Sequence, residues 1–159
     1  MQKIQIIALG KIKEKSLQEA FAEYKKRLSG YCNLTVTEIQ PEKLPENASE
    51  LQIAKALDRE ADKIISAVKP QMFVVSMCIE GKLIDSRCLS KKIESAGING
   101  QGVCFIIGSS FGLSEKVKQK SGLRLSMSPM TFPHDLARVM LSEQIYRAYK
   151  ISEGSAYHK

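Results

Sequence analysis

The sequence predicts an α/β sandwich around a mostly parallel sheet, because strand-like and helix-like periodicities alternate from one end to the other. Two apolar runs, residues 72–79 and 103–107, are continuous enough to be strands covered on both faces, as parallel strands are. The connections are short, with no repeat or low-complexity segment. At 159 residues the chain is expected to form one domain over 1–159.

The elements follow in order. Residues 3–9 are rich in β-branched side chains and stop at Gly10, which marks a first strand. From Ser16 the apolar positions Leu17, Phe21, Tyr24 and Leu28 recur at helical spacing, and Gly30 closes that helix. Residues 34–39 alternate like a strand, and Pro41 and Pro45 mark the loop after it. Ser49 with Gln52 forms a capping-box signature, followed by the stripe Ile53, Leu57, Ala61, Ile64, Ile65 and Val68. The run 72–79 is bounded by Pro70 and Gly81, a shorter helix carries Leu89, Ile93 and Ala96, and 103–107 is a second buried strand. Leu123, Leu125 and Met127 alternate in a last strand, and residues 133–150 read as a long final helix.

Composition narrows the function classes. Hydrophobic residues at 43% and charged residues at 26% suit a globular protein rather than a disordered one. No apolar run approaches the roughly 20 residues that span a bilayer, and the N-terminus lacks the h-region of a secretory signal, so a cytoplasmic protein without a membrane partner is expected. Cys32, Cys78, Cys88 and Cys104 form no C-x-x-C pair and lie far in sequence from His134 and His158, so no metal site is expected. The net charge is +7, and its excess sits in the C-terminal half: residues 1–70 hold 12 Lys/Arg against 10 Asp/Glu, residues 71–159 hold 12 against 7. Such a balance suits a polyanionic partner.

In open sheets ligands bind beyond the carboxyl ends of the strands, which directs attention to the loops after Ile79, Ile107 and Met127. The segment 108–114, Gly-Ser-Ser-Phe-Gly-Leu-Ser, leaves a buried strand and opens a helix capped by Ser114. It reads either as a backbone cradle for a ligand or as an ordinary strand-to-helix turn, since it lacks both the P-loop and the dinucleotide pattern. Residues 126–134 are dense in prolines, hydroxyls and apolar side chains. With Pro129 and Pro133 holding the backbone extended, this loop is suited to grip an adenine edge while Met130 and Phe132 enclose the ring; the alternative is a plain stiffened loop with Pro133 at the first helical position.

The last helix carries Leu136, Val139, Met140, Leu141, Ile145, Tyr146 and Tyr149 around most of its circumference, more apolar surface than a small sheet needs, which predicts a homodimer through this helix. Glu143 and Arg147, four residues apart, are expected to pair. Arg138 interrupts the apolar sequence and either faces a pocket or snorkels.

Taken in order, the opening Ile-Ile-Ala-Leu-Gly, the strand end Phe-Ile-Ile-Gly, the run 125–134, the segment Glu-Gln-Ile-Tyr-Arg-Ala and the terminal Tyr-His-Lys give a specific set, and over essentially its whole length the chain resembles the RlmH methyltransferases of the SPOUT superfamily. Those enzymes methylate N3 of a pseudouridine in 23S ribosomal RNA. The resemblance implies a C-terminal trefoil knot and S-adenosylmethionine as methyl donor, held by Met77, Gly108, Met127, Ser128, Pro129, Met130, Thr131 and Phe132. It implies as partner 23S rRNA, at helix 69, in the large subunit or 70S ribosome.

Transfer from a sulfonium calls for in-line alignment and exclusion of water rather than for a metal. The N3 proton must leave, which makes His158 the candidate base and Arg138 the candidate stabiliser of a developing oxyanion. Tyr157 is expected to stack or hydrogen-bond near the target, with His134 and Lys159 on the RNA. Two positions depart from the family pattern: Ser109 stands where a second glycine is usual, and Cys78 where an acidic residue is usual. These leave open a methyltransferase for another rRNA nucleotide, or an inactive ribosome-binding relative.

Overall fold

A computed structural model describes all residues, 1–159. The elements are β1 (Gln2–Leu9), α1 (Lys15–Leu28), β2 (Cys32–Ile39), α2 (Glu50–Ala67), β3 (Met72–Leu83), α3 (Ser86–Ile98), β4 (Gly102–Ile107), α4 (Glu115–Gln119), β5 (Leu123–Ser126) and α5 (His134–Ser152). The five strands form one sheet in the order β2-β1-β4-β3-β5, with every pairing parallel. The α/β sandwich expected from the periodicities is what the chain adopts. No helix is long and apolar enough to cross a membrane.

Strand alternation divides the core into two layers. Ile4, Ile6, Val103, Phe105, Ile107 and Val75 point to one face and pack on Leu28 of α1, Leu89 and Ile93 of α3, and Leu141 and Ile145 of α5. Ile7, Leu9, Cys104 and Ile106 point to the other and pack on Ala61 and Ile64 of α2 and Val117 of α4. Each such side chain taken out of water contributes about 1.5–3 kcal/mol, which is why the central strands β1 and β4 read so clearly in sequence. Burial pushes the thiols of Cys32 and Cys104 up to about 11 and about 12, so both remain protonated core residues. Gln5 is one of the polar residues buried in this core; its amide donates to the Ala67 carbonyl at 2.8 Å and its oxygen accepts from the Lys69 amide at 3.1 Å, which ties β1 to the end of α2.

The Ser49 capping box is present, with the Gln52 amide donating to Ser49 Oγ at 3.2 Å and the Ser49 amide donating to Gln52 Oε1 at 2.8 Å. Four expectations need correction. β3 does not stop at Gly81 but runs to Leu83 with a register shift between Met77 and Lys82; a Cβ at Gly81 would sit 2.7 Å from the Leu125 backbone, so glycine here admits β5 rather than ending the strand. Nor is β3 covered on both faces throughout: only Val75 and Ser76 are fully buried, because its carboxyl end opens into cavities. β5 ends at Ser126, leaving Met127 in the loop, and Pro133 caps α5 from outside rather than occupying its first position.

α5 uses part of its apolar surface internally. Leu141 and Ile145, at 1% and 0% exposure, are core against α1 and α3, so much of the apolar circumference serves the protomer itself. Leu136 and Met140 remain half-exposed.

Candidate active site

The carboxyl ends of β3, β4 and β5 open together into a cavity of about 730 Å³. Met77 contributes from β3, Gly108 from the end of β4, and Met127, Ser128, Met130, Thr131 and Phe132 from the loop after β5. Pro129 shapes that loop without lining the cavity. The strands were buried by their apolar side chains; what they deliver at their ends is backbone and small polar groups.

Gly108 is required by packing, since a Cβ there would lie 2.4 Å from the Gly112 carbonyl oxygen. The turn it begins is closed by the Gly112 amide donating to the Ser109 carbonyl at 2.9 Å, with Gly112 at φ +83°. This turn is fastened to α2: Ser114 Oγ donates to Asp58 Oδ1 at 2.9 Å, and Ser109 Oγ donates to Glu60 Oε1 at 3.5 Å. Glu60 is buried, which holds its carboxyl above the usual carboxylate range, and the Glu42 amide donates to its other oxygen at 2.9 Å. The second loop bends at Met127, Pro129 and Met130 and is not extended throughout as its prolines suggested. Ser128 makes that bend: its Oγ accepts from the Met130 amide at 3.0 Å, while its carbonyl accepts from Ser126 Oγ at 3.0 Å. Met130 is left 73% exposed and Phe132 half-buried, both on the wall of the cavity.

Sequence reasoning did not foresee Glu80. It lines the same cavity, and a hydrogen bond from Lys118 holds its carboxyl below the usual range. A carboxylate is therefore present two residues beyond Cys78, the position where one is usual. Glu80 falls between the end of the apolar run at Ile79 and Gly81, and it belongs to β3, which continues to Leu83.

A neighbouring cavity of about 600 Å³ shares Met77, Leu125, Ser126 and Met127 with the first and has His158 on its wall, together with Met140 and Ile84. Here the chain terminus is held down. Glu143 Oε1 accepts from Arg147 Nε at 3.0 Å and Nη2 at 2.5 Å, and also from the Tyr157 hydroxyl at 3.1 Å. The Arg147 guanidinium lies over the Tyr157 ring, 4.8 Å from its centroid, and Nη1 is 3.3 Å from His158 Nδ1. Tyr146 meets Tyr157 edge-on at 5.2 Å. The expected Glu143 and Arg147 pair thus does more than brace a helix; it docks the tail. Lys159 is exposed beyond it.

Arg138 lies elsewhere. It is 2% exposed, Nη2 donates to the Gly10 carbonyl at 2.8 Å, Nη1 is 3.6 Å from Glu38, and the Phe21 ring is 5.8 Å away. It lines none of these cavities, so within the protomer it neither faces the loops 108–114 and 126–134 nor snorkels. His134, 3.4 Å from Asp135, sits on the rim of the larger cavity.

The family model described as "Predicted SPOUT methyltransferase" matches residues 2–158. Among similar proteins, the "Ribosomal RNA large subunit methyltransferase H" of Clostridium botulinum (strain Alaska E43 / Type E3) is 51% identical over 157 residues, covering 98% of this chain and 99% of the relative. The protein of the same name from Leuconostoc mesenteroides subsp. mesenteroides is 46% identical with the same coverage.

Proposed function

The chain belongs to the SPOUT methyltransferase family, in its ribosomal RNA large subunit methyltransferase H group, and from that premise we propose a cytoplasmic, homodimeric enzyme that methylates N3 of a pseudouridine in 23S rRNA. Its substrate in this reading is helix 69 of the large subunit or 70S ribosome, its donor S-adenosylmethionine, and the trefoil knot at the C-terminus belongs to the same reading. The observation that carries it is the 730 Å³ cavity in which Met77, Gly108, Met127, Ser128, Met130, Thr131 and Phe132 converge from three strand ends.

The donor supplies an activated methyl group on sulfur. The protein's part is to hold it and to prepare the nucleophile. Gly108 and Ser128 bring main-chain groups to the cavity wall, Met130 and Phe132 supply apolar cover for an adenine, and Glu80 is an acceptor for a hydroxyl or ammonium group, in place of the carboxylate that Cys78 lacks. His158, on the adjoining wall, is the base of this reading; the Arg147 guanidinium can only donate to its Nδ1, so the docked neutral ring carries its hydrogen on Nε2, and Nδ1 must turn away from Arg147 to take the N3 proton. Tyr157 braces that imidazole through Glu143 and Arg147, and Lys159 extends toward the phosphates. Arg138 in this reading holds the Gly10 turn rather than an oxyanion. The half-exposed Met140 and Leu136, with exposed Leu83, are the apolar surface left for a second copy.

The test is incubation with labelled S-adenosylmethionine and 70S ribosomes, 50S subunits or naked 23S rRNA, followed by mapping of the modified nucleotide. Methylation at a pseudouridine of helix 69 is expected. Label at another nucleotide would redirect the substrate assignment, and donor binding without label in any RNA would support an inactive ribosome-binding relative.

A further inference from the structure

A third cavity, of about 670 Å³, lies across the turn 109–111 from the donor cavity, and Ser109, Ser110, Phe111 and His134 line both. Its volume is within the range of small-ligand sites. Nothing said above about donor or tail uses it.

Three features give it chemistry. Phe111 stands 52% exposed on the common rim, an aromatic ring that the core does not require, carried on a turn whose backbone is closed. Across from it, Lys11 and Lys13 are exposed and enter no ion pair, whereas the acids on the cavity wall are already engaged. Glu42 is paired with Lys63 at 3.0 Å and Arg59 at 3.7 Å, Glu38 lies 3.6 Å from Arg138, and Glu60 accepts from the Glu42 amide and Ser109. Finally, the loop carrying the lysines is fixed. The Gly10 amide donates to the Ile39 carbonyl at 2.7 Å, the Gly10 carbonyl accepts from Arg138, the Lys13 amide donates to Asp135 at 3.3 Å, and Ile12 is buried beneath.

An exposed ring beside two free cations on a pre-ordered loop is the arrangement that holds an unpaired nucleotide, by stacking its base and neutralising its phosphate. We infer that this cavity is an RNA subsite, which takes a nucleotide flanking the methylated one, with its base on Phe111 and its phosphate at Lys11 and Lys13. The inference rests on the proposed function for RNA as substrate. Such a nucleotide shares a wall with the donor cavity, which in turn adjoins the cavity of His158.

Equilibrium binding of the protein to 70S ribosomes and 50S subunits across a KCl series, without donor, tests it. Phe111→Ala should weaken binding by roughly ten- to a hundredfold, with Phe111→Tyr restoring it. The double variant Lys11→Ala, Lys13→Ala should lower the slope of log affinity against log salt by about 0.7, the contribution of one single-strand phosphate, while its calorimetric affinity for S-adenosylmethionine stays that of the parent. Unchanged ribosome affinity and salt slope in both variants would overturn the subsite. So would Phe111→Ala losing donor affinity alone, which would assign the ring to the donor cavity, or a parent protein with no salt-dependent affinity for either particle. Because binding is read without turnover, a parent that binds but never methylates defeats the proposed activity and leaves the subsite standing.

Discussion

The two halves of α5 each carry an arginine, and the two are used in opposite ways. Arg138, near the N-terminal end, is buried and spends its guanidinium on a main-chain carbonyl of the Gly10 turn, with a carboxylate only loosely opposed at 3.6 Å. Arg147, nine residues on by sequence number, is partly exposed, grips Glu143 with two nitrogens, and covers Tyr157. One arginine locks a turn into the fold, and the other docks a chain end that would otherwise fray. The difference follows from what each faces: a buried guanidinium must be matched to a fixed acceptor, whereas a half-solvated one can hold a segment that comes and goes.

The strongest way to break this contrast is at the tail. Deleting residues 157–159 should lower methyl transfer by roughly 100- to 10,000-fold, the range for losing a positioned proton acceptor, with donor binding by calorimetry nearly intact. His158→Ala alone should show a defect that shrinks as pH rises toward ionisation of the pseudouridine N3. A truncated protein with full turnover would remove the tail from the mechanism.

At the other end the expected loss is of stability. Arg138→Ala leaves the Gly10 carbonyl without its donor and empties a filled site, for a cost of about 3 kcal/mol. In a chain of this length that lowers Tm by roughly 6–12 °C, measurable by calorimetric melting. An Arg138→Ala protein that melts like the parent would end the structural assignment.

The smallest effect separates the two ends by pH. Burial, with the Glu143 hydrogen bond second, raises the Tyr157 hydroxyl above the ordinary tyrosine range. Its folded value exceeds its unfolded one, so the contribution of tail docking is complete below the ordinary tyrosine range and is lost as pH rises through the raised value. Ultraviolet titration should therefore show two tyrosinates appearing late, that of Tyr149, raised by burial, and that of Tyr157; proteolysis of the tail should quicken as Tyr157 ionises, and Glu143→Gln should bring the Tyr157 ionisation earlier.

Most of the fold was legible because the central strands are buried on both sides and their apolar runs leave no other reading. Edges and ends were not. β3 hid its last residues because a single glycine signals both a strand's end and a close backbone approach, and only the position of β5 decides between them. The loops 108–114 and 126–134 were legible as unusual segments at strand ends, and they line one cavity. Arg138 was misread toward the pocket because a cation in an apolar helix has two outlets, and its acceptor lies at the far end of the sequence. Glu80 escaped because it follows the apolar run directly, where a charged residue reads as the start of a loop.

That distance has a consequence for synthesis. The Gly10 carbonyl and the arginine that secures it are 128 positions apart, so the Gly10 turn leaves the ribosome long before it can be fastened. Until α5 emerges, β1 has its strand partners in prospect but not its lock, and the loop bearing Lys11 and Lys13 is free to wander. A nascent chain of this protein can collapse early around β1 and β2, yet its working surfaces must mature together, once α5 has emerged and Arg138 reaches the Gly10 turn.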